Sequence, residues 1–199
     1  SFQTYFDLKS AKMIKAKFGT PDFITFTNVF AHISNLQELL DSLRLLIARD
    51  TIIIIENHYL GSILESNQFD TFYHEHPRTY SYRSFQFIAK SLGLNFLDAQ
   101  YVSRYGGNIR VYLGRGKEES KPNKNEANFI EDFIETQRGI EKWKVETRVK
   151  ILDFIKTHGR MRAKAFPGRA AILIKLLRLN ESHISAVYEI KGSMKVGHY

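Results

Sequence analysis

Side chains that could do chemistry are concentrated in the segment FDTFYHEHPRTYS, residues 69–81. His74 and His76 flank Glu75, and Tyr73 comes directly before them. A core strand has no need of this mixture, and solvent-exposed loops seldom carry so many aromatic residues. Imidazole, carboxylate and phenol groups at this spacing could either bind a metal ion or move a proton.

A metal site would use the histidines as ligands. His74 and His76 share a face if the segment is extended, and His32 and His58 both follow the ends of predicted strands. These imidazoles, with Glu75, could hold zinc in a hydrolase or an isomerase. The HEH spacing alone is weak for a metal, however, and neighbouring tyrosines are unusual around zinc, so we assign no metal ligands.

Proton transfer suits the same residues better. An imidazole such as that of His76 can accept a proton near neutral pH, Glu75 could orient it, and Tyr73 could donate a hydrogen bond to an oxygen where negative charge develops. A base beside a phenol is what removal of a proton next to a carbonyl requires. His32 is a further candidate, although it could instead cap the helix that follows.

The elements that would position these residues form a strand, a helix and a second strand. FITFTNVF, residues 23–30, reads as a buried strand, and the leucine-rich segment after it has helical spacing, with Ser34 or Asn35 as its cap. TIIIIEN, residues 51–57, is a near-continuous apolar run. The two strands should therefore be parallel, and ligands bind beyond the carboxyl ends of such strands, where His32 and the YHEH loop follow.

The next segments predict a connection with little periodicity, a helix over residues 82–93, and two strands joined around RYGG in a tight antiparallel connection. Gly106 and Gly107 could make a simple turn or let a ligand approach the backbone closely. With the adjoining Asn108, they are candidate substrate contacts.

We expect three parts in the chain: a domain over residues 1–116, a polar linker over 117–126, and a long amphipathic helix with a second, smaller βαβ region over 127–199. Gly139 is a weak point of the long helix. Between residues 160 and 178 the chain carries six basic and no acidic residues. This stretch could be a solvated face, or Arg169 could help bind an anion at the start of a helix.

Composition limits the classes of function. The 199 residues are 43% hydrophobic and 25% charged, with a net charge of +8 and no cysteine. Disulfides, thiol nucleophiles and zinc–thiolate clusters are excluded. The chain has no apolar run long enough to span a membrane and does not begin like a signal peptide, so we expect a cytoplasmic protein with neither a membrane nor a nucleic acid as its partner.

The motifs NVFAHI, IIIIENHYLGSI, FDTFYHEHPRTYSYRSF and RYGGNIRVY, in this order within residues 18–114, resemble the sugar C-methyltransferases. These enzymes use S-adenosylmethionine to methylate a carbon of a nucleotide-linked keto-deoxysugar. The resemblance implies a Rossmann-like class I methyltransferase sheet, of which residues 1–116 would form the rear part. It also implies that residues 127–199 hold part of a C-terminal Rossmann-like domain.

The resemblance implies a role for each candidate residue. His76 would remove the proton beside the keto group, and Tyr73 would steady the enolate. Glu75 would orient the base or bind sugar hydroxyls, and His32 would line the pocket. The cofactor would be bordered by the residues after the first strand, Asn28, Val29 and Phe30.

The sequence also departs from that family. The 199 residues contain no cysteine-rich zinc module, and no glycine-rich loop precedes the first predicted strand. The chain therefore looks like the rear part of such an enzyme, with zinc belonging to an N-terminal module that this sequence lacks, and we expect weak binding of S-adenosylmethionine. A non-catalytic module that binds sugar nucleotides is the alternative function.

Overall fold

The computed structural model describes residues 2–117, 126–194, 196 and 197. Contacts divide the chain into two compact units, the first formed by Ser1–Ser66 with His74–Ile130 and the second by Asn67–Tyr73 with Glu131–Tyr199. The inclusion of Asn67–Tyr73 in the second unit was not indicated by the sequence. Most of the predicted linker, residues 118–125, lies outside the described residues.

The first unit is a mixed α/β structure. Its helices are α1 (Leu8–Phe18), α2 (Leu36–Leu46), α3 (Leu60–Glu65) and α4 (Tyr82–Ser91), and its strands are β1 (Phe23–Thr27), β2 (Ile52–His58), β3 (Asn95–Val102) and β4 (Asn108–Gly114). Short 3₁₀ turns lie at Phe30–His32, Arg104–Gly106 and Glu126–Asn128. The predicted strand–helix–strand order is confirmed, whereas the connection expected to be irregular contains α3.

The sheet of the first unit has the order β1-β2-β4-β3. Strands β1 and β2 are parallel neighbours, with Phe23 opposite Ile52, as predicted. Strand β4 is antiparallel to both β2 and β3. Three of the four strands therefore run in one direction, and the carboxyl ends of β1 and β2 meet at one edge, which suits a Rossmann-like methyltransferase sheet.

The core of this unit takes in the predicted apolar runs of β2 and α2, whereas β1, predicted as a buried strand over residues 23–30, ends at Thr27 and has no buried residue because it is an edge strand. In β2, Ile53 and Ile55 are fully buried, and α2 buries Leu39, Leu40 and Leu43 against the same core. The α2 cap is Asn35, whose side chain accepts a hydrogen bond from the Glu38 N–H at 3.2 Å. His32 is therefore not the α2 cap, which excludes a helix-capping role as the reason for a histidine at this position.

A buried carboxylate fixes the start of α4. Glu126 is 8% exposed and accepts hydrogen bonds from the N–H groups of Tyr82 (2.7 Å) and Arg83 (3.1 Å) and from the Tyr59 hydroxyl (3.0 Å). A negative charge at a helix amino terminus is favourable, because the first N–H groups of the helix lack partners within it. Glu126 thus connects the start of α4 to the segment that follows β2.

The second unit contains α5 (Phe129–His158), which starts in the first unit, β5 (Met161–Lys164), α6 (Ala170–Leu176) and β6 (Ile184–Tyr188). Strands β5 and β6 are parallel and lie on either side of α6 in sequence. Helix α5 continues through Gly139 without a break. No helix in the described part of the chain combines the length and the hydropathy needed to cross a membrane.

We predict that Glu126→Ala lowers the free energy of unfolding by about 2–3 kcal/mol, because it leaves a buried hydroxyl and two N–H groups without their acceptor. Urea denaturation followed by far-ultraviolet circular dichroism would measure the change. Glu135→Ala is the matched control, since the Glu135 side chain is 78% exposed, and its effect should stay within about 0.5 kcal/mol. Equal effects of the two substitutions would contradict the role of Glu126.

Candidate active site

The carboxyl ends of β1 and β2 are held together by backbone and amide contacts. The N–H of Asn28 donates to the Glu56 carbonyl at 2.8 Å, and Asn28 adopts a left-handed backbone with φ 52°. The buried Asn57 side chain reaches from β2 to the N–H of Ala31 at 3.4 Å. The short turn that ends at His32 is therefore supported by the neighbouring strand.

The loop that carries His76 is attached to both strand ends. The Arg78 guanidinium donates to the carbonyls of Ile33 (2.7 Å) and Ser34 (2.9 Å). Two residues further on, the Tyr80 carbonyl accepts from the Leu60 N–H at 2.9 Å. The loop is thereby tied to the segment after β1 on one side and to the segment after β2 on the other.

These contacts assemble a cluster of three histidines. The ring centroids of His32 and His76 are 4.6 Å apart, and those of His58 and His76 are 5.8 Å apart, both in edge-to-face arrangement. His32 is exposed, whereas His58 and His76 are partly buried. Within the described residues, no group of three or more histidine, cysteine or acidic side chains is arranged to hold a metal ion.

The aromatic cluster extends to Tyr105, a residue that the sequence reasoning missed. Its ring centroid lies 6.1 Å from that of His58. From the sequence, His58 is a candidate only as a metal ligand, and RYGG is a candidate site only through its two glycines. The sequence did contain a signal for this contact, because His58 follows a predicted strand and Tyr105 lies in the connection between two others at the same edge of the sheet.

Glu75 and Tyr73, the two predicted partners of His76, belong to different units of the structure. Glu75 is adjacent to His74, with Oε1 3.9 Å from Nε2, and the side chains of these two residues are 52% and 80% exposed. Tyr73 belongs to the second unit, whereas His76 belongs to the first. The roles assigned to Glu75 and Tyr73 stay predictions.

A buried ion-pair network lies beside the cluster. Glu56 is 3% exposed, and its Oε2 accepts two hydrogen bonds from Arg110 (2.7 and 2.9 Å). Its Oε1 accepts one from Asn108 (3.1 Å) and lies 3.5 Å from the Arg104 guanidinium. Burial by itself would raise the pKa of Glu56, but the hydrogen bonds from Arg110 and Asn108 outweigh it, so the pKa is lowered. The carboxylate fixes the start of β4 against the end of β2.

The three predicted cofactor residues differ in what they present to a ligand. Val29 is 48% exposed and offers apolar surface beside the turn at the end of β1. The Asn28 side chain accepts a hydrogen bond from Asn108 at 3.0 Å. Phe30 is fully buried and packs its ring against Phe26 and other core rings. Its side chain is therefore part of the core, and a border with a cofactor at Phe30 stays a prediction.

Two of the predicted substrate contacts at this turn, Gly107 and Asn108, are engaged within the protein. Gly107 has φ 125°, and a Cβ atom there would come within 2.5 Å of the Ser62 side chain, so this glycine is needed for close packing. Asn108 is 1% exposed and donates to Glu56 and Asn28. Gly106 is exposed at the turn.

Arg169 belongs to the second unit. It forms an ion pair with Asp70 (2.8 Å) and donates to the Thr71 hydroxyl (3.3 Å), both in the segment Asn67–Tyr73. Its positive charge is thus already partnered within the protein, which weakens the prediction that it binds an anion.

Comparison with known proteins identifies the region that holds the histidines. Residues 4–99 match a methyltransferase domain. The C-methyltransferase NovU of Streptomyces niveus is 32% identical over 107 residues, which are 54% of this chain and 26% of that protein. The chain thus spans about a quarter of the length of this curated relative. The residues that match the methyltransferase domain run from before α1 into β3 and include all three clustered histidines.

The lowered pKa of Glu56 predicts how stability depends on pH. A carboxylate whose pKa is lower in the folded protein stabilises it above the unfolded pKa, which is about 4.3 for glutamate, and this contribution is lost as the pH falls through the folded pKa. Glu56→Gln should therefore lower the free energy of unfolding at neutral pH, and the deficit should shrink as the pH falls below about 4.3.

Urea denaturation over this pH range measures the deficit, with Glu135→Gln as the exposed matched control. A deficit that is independent of pH would show that the charge of Glu56 contributes nothing to stability.

Proposed function

We propose that the protein transfers a methyl group from S-adenosylmethionine to a carbon of a nucleotide-linked keto-deoxysugar, through an enolate of the sugar. The observation that carries the proposal is the cluster of His32, His58 and His76 at the carboxyl ends of β1 and β2, inside the region that matches a methyltransferase domain. The name of the relative, a C-methyltransferase, supports carbon as the acceptor atom.

In this proposal His76 removes the proton from the carbon beside the keto group. It is the middle ring of the cluster, since both other imidazoles lie next to it, and it is partly buried, so that a substrate could exclude water from its ring. A positioned base of this kind contributes about 10²–10⁴-fold in rate. His32, on the exposed side, would contact the sugar.

Residues close to His76 in the sequence have further roles in the proposed reaction. Tyr73 would donate a hydrogen bond to the enolate oxygen, and Glu75 would bind sugar hydroxyls or orient an imidazole. The exposed position of Glu75 beside His74 suits hydroxyl binding better than orientation of His76. Glycines 106 and 107 would shape the same side of the pocket.

The residues after β1 fit one border of a cofactor site. Val29 could pack against the cofactor, and the backbone at Asn28, already turned into the left-handed region, would lie beside it. When bound, S-adenosylmethionine supplies an electrophilic methyl group on a positively charged sulfur. Among the residues predicted to border it, Val29 has the exposed side chain.

Exchange of the sugar's α-proton with deuterated water tests the role of His76, because this step needs no methyl donor. We predict that His76→Asn slows the exchange about 10²-fold or more in the full protein, while the Kd for the nucleotide sugar changes little, since the lost interaction belongs to the transition state. Proton nuclear magnetic resonance of the sugar would follow the exchange.

The matched control is His74→Asn, the same chemical change on a side chain that is 80% exposed, and it should exchange the proton at the parent rate. If His76→Asn also exchanges at the parent rate, His76 is not the base. If the parent protein itself exchanges no α-proton, the proposed reaction is wrong.

A further inference from the structure

Tyr105 is an exposed aromatic residue in an unfavourable backbone conformation. Its φ and ψ are 52° and 30°, in the left-handed region that residues other than glycine seldom adopt, and 63% of the residue is exposed. An aromatic side chain that stays mostly in solvent adds little to the core. Folding alone therefore gives no reason to place a tyrosine at this position, and residues held in such conformations are frequent at ligand sites.

The surroundings of Tyr105 hold it in place from both sides. On the carboxyl side, the Gly107 N–H donates to the Arg104 carbonyl (2.9 Å), and the Gly107 carbonyl accepts from the Tyr59 backbone N–H (3.1 Å). Gly107 also packs against Ser62. On the amino side, the Arg104 guanidinium lies 5.5 Å from the centre of the Tyr105 ring and is paired with the buried Glu56.

The fixed ring borders the histidine cluster. His58 lies between the two other rings, 6.1 Å from the Tyr105 centroid and 5.8 Å from that of His76. A small ligand that contacts both His76 and His58 would therefore lie within reach of the Tyr105 ring. Because its ring is exposed, Tyr105 can face such a ligand without any movement of the core.

We propose that Tyr105 is a substrate-contacting residue whose phenol donates a hydrogen bond to the substrate oxygen that becomes negative, and that His58 positions its ring. This inference rests on the proposed function. As His76 takes the proton from the carbon, the electron pair of the broken C–H bond forms the new C=C bond and the carbonyl π pair moves to oxygen. The phenol keeps its proton and stabilises that oxygen.

Tyr105→Phe tests the contact, because it keeps the ring and removes only the hydroxyl. In the full protein we expect α-proton exchange to slow roughly 10²-fold, the size of effect typical for loss of one such donor. Tyr112→Phe is the matched control: it removes a hydroxyl that donates to Gln100 in the same sheet, and it should exchange the proton at the parent rate.

A second variant separates substrate contact from a structural role. Tyr105→Gly suits the left-handed backbone, so thermal unfolding should move to a higher temperature while α-proton exchange still slows at least as much as in Tyr105→Phe. A purely structural role of Tyr105 predicts a lower unfolding temperature and α-proton exchange at the parent rate.

The results distinguish two failures. If the parent and Tyr112→Phe exchange the proton, and Tyr105→Phe and Tyr105→Gly exchange it at the same rate, Tyr105 does not contact the substrate and the proposed function stands. If the parent exchanges no proton, the proposed function fails and this inference fails with it.

Discussion

The hydrogen bonds from Arg78 to the carbonyls of Ile33 and Ser34 are the interaction on which the histidine cluster depends. His76 lies in a loop without regular secondary structure, and ordering such a backbone costs conformational entropy that nearby contacts must offset. Arg78 provides two charge-assisted donors just after His76. It directs them at the segment that follows His32, so one side chain brings the two imidazoles together.

The other side of the cluster depends on a buried charge network. Glu56 joins the end of β2 to the start of β4 through Arg110 and Asn108, and Arg104 extends the network towards Tyr105. Breaking a buried pair by removing one partner is strongly destabilising, because it leaves an uncompensated charge. The residues around the cluster are therefore held by polar contacts from strand ends, and the apolar core beneath them supplies the rigid base.

The sequence predicted the parts of this structure that follow from local pattern. The isoleucine run of β2, the leucine spacing of α2 and the parallel pairing of β1 with β2 are all present, because burial of apolar side chains decides each of them. The approach of His32 to the loop that carries His76 was also foreseen, since His32 follows β1 and the loop follows β2 at the same edge of the sheet. Parts that depend on side chains meeting across the chain were not foreseen: Glu126 at the start of α4 and Tyr105 beside His58.

Histidine-selective nuclear magnetic resonance is the most direct test of whether His32, His58 and His76 form one substrate site. A nucleotide-linked keto sugar is titrated into the protein while the imidazole signals are followed, with His158 and His183, in the second unit, as internal references. We expect the signals of the three clustered histidines to shift together with one saturation curve and both references to stay unchanged. Saturable binding that leaves all three clustered signals unmoved would contradict it.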